Sequence, residues 1–134
     1  MEDKLEKYEY RGYEGRENIL EPSTAILAFG QICEGWGLDD EDAATLLGLE
    51  NSNGYKLIKS RIDLYRDYRL DISERVKTVF NITLNLYRKF GEDKNGKNWL
   101  RIKMGDLGGK SPLEYMLNGS MRDLFIVESL SESI

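Results

Sequence analysis

Between Asp71 and Gly91 the chain keeps one helical face for roughly five turns without a proline or an internal glycine. Ile72, Val76, Val79, Phe80, Thr83, Leu86, Tyr87 and Phe90 recur at steps of three and four, a spacing that only a helix can bury on one side. The two-residue alternation of a half-buried strand occurs nowhere in the sequence, and no segment repeats. The chain is therefore expected to be all-α. Asp71 with Glu74 reads as the capping pair of this longest helix. Ile82 and Leu84 lie off its main stripe, so the helix is either central to the fold, at a domain junction, or covered by a second copy.

The remaining helices are shorter and are punctuated by glycine. Ala25, Ile26, Phe29, Ile32, Cys33 and Trp36 predict a first buried face, ended by Gly35 and Gly37. Asp39 is placed to cap a second helix, with Asp40, Glu41 and Asp42 at its positive end and Ala43, Ala44, Leu46 and Leu47 as its apolar stripe up to Gly48. Over Leu49–Arg61 the inward positions are Leu49, Tyr55, either Leu57 or Ile58, and Ile62; Gly54 weakens this helix. Residues 63–70 read as a connection with a helical turn, and Asn98–Lys103, with Trp99, Leu100 and Ile102, as a short helix after a polar turn at 92–97. Ser111-Pro112-Leu113-Glu114 combines proline at the first helical position with a capping box. Gly119 stops that helix, and Ser120 with Asp123 caps a last one carrying Leu124, Phe125, Val127 and Leu130. Residues 1–20, with three tyrosines among charges and Leu5 as the only aliphatic residue before Ile19, read as a flexible arm.

Composition removes most catalytic readings. The chain has no histidine and one cysteine among 134 residues, which excludes serine–histidine and cysteine–histidine nucleophile pairs, His-ligated zinc and an intrachain disulfide. An enzyme is not expected, no cofactor is implied, and a lone Cys33 suits a reducing compartment. No apolar run nears the ~20 residues of a membrane helix, so a soluble, cytoplasmic protein with no membrane contact is expected. Two motif-like runs fail on their own chemistry. MGDLGGKS has Met104 where a phosphate loop needs its first glycine, and no strand precedes it. The segment from Asp93 to Met104 puts glycine fourth rather than sixth and methionine where a calcium loop needs a bidentate glutamate. Asp39 to Asp42 fit helix capping better than a metal.

The net charge of −5 hides a polarised chain: residues 1–50 carry −9, residues 51–103 carry +7 and residues 104–134 carry −3. The basic middle either faces a polyanion or neutralises the acidic ends within the fold. It begins at the helix after Gly48, which makes helix–Gly48 turn–helix a candidate helix-turn-helix. In such a unit the second helix enters the major groove, where polar groups read base edges and basic ones hold phosphates. Asn51, Ser52, Asn53, Lys56, Lys59 and Arg61 have suitable chemistry for DNA binding. An ordinary helical hairpin gives the same local pattern.

The C-terminal third carries a more specific arrangement. Trp99-Leu100, then Leu107-Gly108-Gly109-Lys110-Ser111-Pro112-Leu113, then Leu117-Asn118-Gly119 and Asp123-Leu124 follow one another in an order that closely resembles the toxin-binding domain of the Xre/MbcA/ParS antitoxin family. Residues 25–49 resemble the Xre-like helix-turn-helix half of the same antitoxins, so the resemblance covers roughly residues 23–131. Gly54 and the long polar stretch 63–70 depart from the family pattern. The resemblance implies an arm (1–20), an Xre-like helix-turn-helix domain (21–70) and a toxin-binding domain (71–134). It further implies an antitoxin of a type II toxin–antitoxin system, a homodimer that represses its own operon by binding operator DNA and neutralises a RES-domain, NAD-degrading toxin without itself binding NAD. Trp99, Ser111, Pro112, Leu124, Phe125, Val127 and Leu130 are the implied toxin-binding residues, with 120–134 as the main contact. A stand-alone helix-turn-helix regulator without a toxin partner is the alternative.

Overall fold

The computed structural model describes residues 22–60, 69–92 and 94–134. The arm expected at 1–20, Arg61 and Ile62, and most of the connection expected at 63–70 lie outside the described residues. Among those described, every regular element is helical, in agreement with the all-α expectation. The elements are α1 (Pro22–Gly35), α2 (Asp40–Leu46), α3 (Ser52–Ser60), α4 (Arg69–Phe90), α5 (Asn95–Trp99), a 3₁₀ turn (Gly105–Leu107), α6 (Pro112–Met116) and α7 (Met121–Glu132).

The helix at the centre is α4, about 33 Å long. It packs along α7 and also against α1 and α5, while α2 packs on α3 and α6 on α7. Its buried residues Ile72, Val76, Val79, Phe80, Ile82 and Leu86 span a wide arc, so the second apolar flank seen in the sequence is satisfied within the chain at Ile82. Leu84 stays partly exposed. Two side-chain bonds fix the seam with α7: Asn81 Nδ2 donates to Glu128 Oε2 at 2.7 Å, and Asn85 Nδ2 to Ser131 Oγ at 2.9 Å. Both numbers rise together, so the two helices run in the same direction. Buried side chains from Ala25 to Val127 form one cluster, and the expected division at residue 70 falls at the start of α4, whose side chains belong to that shared core.

Local signals are realised where capping chemistry determines them. Asp39 accepts from the Asp42 amide at 2.9 Å, and Ser120 accepts from the Asp123 amide at 3.2 Å. Ser111 and Glu114 form the reciprocal capping box, with Pro112 leading α6. Three expectations are corrected. α4 begins at Arg69, so Asp71 lies inside its first turn and pairs with Arg75 rather than capping. α5 covers Asn95–Trp99 instead of 98–103, because the chain beyond it must extend: Leu113 N donates to Leu100 O at 2.9 Å and Met104 pairs with Lys110 as an isolated antiparallel bridge. Ile102 is consequently exposed. The choice between Leu57 and Ile58 falls to Ile58, which is buried while Leu57 faces out.

Candidate functional site

The expected DNA-binding residues lie on α3 and the turn before it. Gly48 permits that turn with φ of +76°, and Leu49 N donates to Ala44 O at 2.9 Å, closing the end of α2. Tyr55 and Ile58 turn inward; the Tyr55 ring meets Phe29 edge-on at 6.1 Å, and its hydroxyl would lie 3.1 Å from any Cβ at Gly30. The glycine thus lets α1 approach α3. By helical spacing this leaves Asn53, Lys56, Leu57 and Ser60 on one outward face.

Of the six expected residues, two serve a local structural purpose. Asn51 Oδ1 accepts from the amides of Asn53 at 3.0 Å and Gly54 at 3.4 Å, which makes it the N-terminal cap of α3. Lys59 lies 4.5 Å from the centre of the Tyr55 ring and 3.8 Å from Asp40. Ser52 is partly buried, and its amide donates to Glu41 Oε2 at 3.2 Å. Asn53 and Lys56 are exposed, and Arg61 lies outside the described residues. The acidic start of α2 therefore sits directly beside α3.

Of the implied toxin-binding residues, most build the C-terminal half rather than its surface. Leu124 and Val127 are fully buried, Trp99 and Pro112 are buried, and buried Ser111 is occupied by its capping box. These five side chains therefore present little surface of their own. Leu130 is half-buried against the core. Phe125 is 46% exposed, so it points outward rather than closing the core. The turn between α5 and α6 is tightly made. Gly109 N donates to Met104 O at 2.9 Å, Gly108 and Gly109 have φ of +68° and +86°, and Lys110 Nζ donates to Asn118 Oδ1 at 3.3 Å. Asn118 in turn donates to Asp123 Oδ2 at 3.1 Å.

Sequence reasoning missed two arginines that tie the regions together. Arg75, only 8% exposed, donates through Nη1 to Leu46 O at 3.2 Å and Gly119 O at 2.9 Å, and through Nε to Asp71 Oδ2 at 3.0 Å. One guanidinium thus holds the last carbonyl of α2 and a carbonyl of the turn that launches α7. Arg101 Nη2 donates to Trp36 O at 2.6 Å, at the end of α1. Both satisfy carbonyls that a helix end leaves unpaired. Arg75 lies within the basic block 51–103 but, being buried, adds no positive surface to the α3 face.

Among the described residues the clear shifts trace chiefly to burial and to neighbouring charges. Burial pushes the Cys33 thiol up to about 12, with the charges of Asp42 and Asp40 adding to the effect. Burial likewise pushes Tyr55 up to about 12. Partial desolvation and the adjacent Asp39 raise Asp42 above the usual carboxyl range. Among the described residues no group of three or more metal-binding side chains converges, and no helix is long and apolar enough to cross a membrane. Compared with known proteins, the chain matches no protein-family model and no curated protein.

Proposed function

We propose that this chain is a cytoplasmic antitoxin of a type II toxin–antitoxin system, a binding protein rather than an enzyme. Its α6–α7 region masks a RES-domain, NAD-degrading toxin, and a helix-turn-helix formed by α2 and α3 binds operator DNA as a homodimer. The observation that carries the reading is the way the family-like motifs are used. The Ser111–Glu114 box starts α6, α6 packs on α7, α7 packs along α4, and Arg75 of α4 holds Gly119 O, a support that presents Phe125 outward. An exposed phenylalanine on a helix otherwise anchored by Leu124 and Val127 suits a partner that buries it.

The stand-alone regulator is less favoured. It leaves the exposed Phe125 of α7 without a use, whereas a partner protein would bury it.

The test is neutralisation in cells that co-express the chain with the toxin encoded beside it. Deleting residues 126–134 would remove Val127 and Ser131 from the core and damage the fold, so the decisive variant is Phe125→Asp. It should abolish neutralisation and co-purification while leaving the far-ultraviolet circular dichroism unchanged. A Phe125→Asp protein that neutralises like wild type, or a gene context without any toxin, would overturn the proposal.

A further inference from the structure

Asparagine is followed by glycine at Asn53-Gly54, Asn95-Gly96 and Asn118-Gly119. Such a pair can modify itself, because a glycine amide, unhindered by any Cβ, can attack the side-chain carbonyl of the residue before it. Asn53 lies within α3 and Asn95 opens α5, and on a helix side chains tilt towards the N-terminus, away from the following amide. Asn118 differs: it is exposed, in the turn between α6 and α7, and Gly119 has φ of +90°. Charged groups engage both ends of its side-chain amide. Oδ1 accepts from Lys110 Nζ at 3.3 Å, and Nδ2 donates to Oδ2 of the buried Asp123 at 3.1 Å. The same turn secures α7, since Arg75 Nη1 donates to Gly119 O at 2.9 Å and the Asp123 amide donates to Ser120 Oγ at 3.2 Å.

We propose that Asn118 is a self-modification site, at which the chain converts asparagine to aspartate or isoaspartate and so loosens the start of α7. Gly119 N bonds to Asn118 Cγ, the Cγ–Nδ2 bond breaks and ammonia leaves, which gives a cyclic imide. Water then adds to either ring carbonyl and opens the ring to aspartate or isoaspartate. The Lys110 ammonium stabilises the negative charge that collects on Oδ1 as the new bond forms. The proton lost by Gly119 N goes to water, and Asp123 Oδ2, hydrogen-bonded to Nδ2, relays one to the departing nitrogen. Gly119 N donates to Met116 O at 3.0 Å, and that bond must open first, so the native turn sets the pace. Both products act on α7. Aspartate puts a second carboxylate where the amide met Asp123, and two carboxylates so close repel. Isoaspartate routes the main chain through the side-chain carbons, which lengthens the backbone ahead of Gly119 and carries its carbonyl away from Arg75.

The experiment holds the purified full chain at mildly alkaline pH and follows each asparagine by peptide mass spectrometry, with isoaspartate detected by an isoaspartyl methyltransferase. A parallel time course in urea gives the rate of each pair in the unfolded chain. In native protein Asn118 should convert ahead of Asn53 and Asn95, while in urea the three should differ little. Lys110 is exposed, so Lys110→Met keeps the fold. It should slow native conversion at Asn118 about threefold, the weight of one exposed charge, and leave the urea rate unchanged. Asn118→Asp, which installs one product outright, should lower Tm by about 5 °C. Asn118→Ala loses the same hydrogen bonds without adding charge and should lower it less. Native conversion at Asn118 no faster than at Asn53 and Asn95, or a Lys110→Met rate equal to wild type, would overturn the site. A Tm of Asn118→Asp at or above that of Asn118→Ala would overturn its effect on α7.

Discussion

Replacing Arg75 with methionine removes one guanidinium and with it the tie between the end of α2 and the turn before α7. Two charge-assisted bonds to backbone carbonyls are lost, at Leu46 and Gly119. Each is worth about 1.5–3 kcal/mol, and the carbonyls become unpaired in or near the core. The contact with Asp71 adds little, since that carboxylate's side chain is 60% exposed and well screened. Against the loss stands the relief of a buried charge's desolvation, which methionine no longer suffers. The balance is a destabilisation of about 2–4 kcal/mol, or a fall in Tm of about 10 °C for a chain of this size. Urea unfolding measures it, with Trp36 reporting the α1 end and Trp99 the α5 end. In wild type both probes should share one midpoint, because their buried side chains belong to one cluster. In Arg75→Met both midpoints should fall together. A shift below about 0.5 kcal/mol would show that desolvation cancels the bonds, and the reasoning from unpaired carbonyls would be refuted.

Gly48→Ala should cost about 2 kcal/mol or more, since it forces a side chain to φ of +76° and places its Cβ 2.8 Å from Arg75 Cζ; urea unfolding of the double variant with Arg75→Met should show a loss smaller than the sum of the two. Ser111→Ala should lower stability by about 1 kcal/mol through loss of the cap, read by thermal denaturation, and an unchanged Tm would discount the capping box. The Ser111 amide, then Lys103, hold Glu114 below its ordinary carboxyl value of 4.5. Its contribution is therefore complete above that value and fades as pH falls through the lower folded one, so Glu114→Gln should flatten the acid limb of a stability-versus-pH curve. Cys33, buried and with its thiol pushed up to about 12, should react with a thiol reagent at pH 8 only as fast as the protein unfolds; prompt labelling of the native protein would contradict its packing.

What the sequence disclosed follows the range of the interactions involved. The caps at Asp39, Ser111 and Ser120 are satisfied within three residues, so the residue types alone reveal them. The Arg75 and Arg101 bonds join residues 29, 44 and 65 positions apart, and no local pattern announces an arginine that caps a distant helix. The end of α5 is hidden from the sequence for a related reason: the extension that ends it is enforced by Leu113 and Lys110, which lie beyond it in the chain. At Phe125 the signal was present. Leu124, Val127 and Ser131 are spaced by three and four and form the buried stripe, which turns the intervening phenylalanine outward. The same spacing at Tyr55 and Ile58 turns out Leu57.

The charge blocks acquire a different meaning once the contacts are known. Read along the chain, the +7 middle looks like a polyanion surface. In the fold, Arg75 and Arg101 are directed at helix carbonyls, Lys59 at Asp40 and Lys103 at Glu114 2.9 Å away. Four of the basic side chains are therefore occupied with binding the acidic and carbonyl-rich parts of the same molecule. Two of the four, Lys59 and Lys103, pair with carboxylates of the acidic ends, and the two arginines bind backbone carbonyls instead. The Arg75 contacts bear on the proposed function. The turn before α7 and the end of α2 hydrogen-bond the same guanidinium, so the region proposed to meet the toxin and the region proposed to meet DNA share one support on α4.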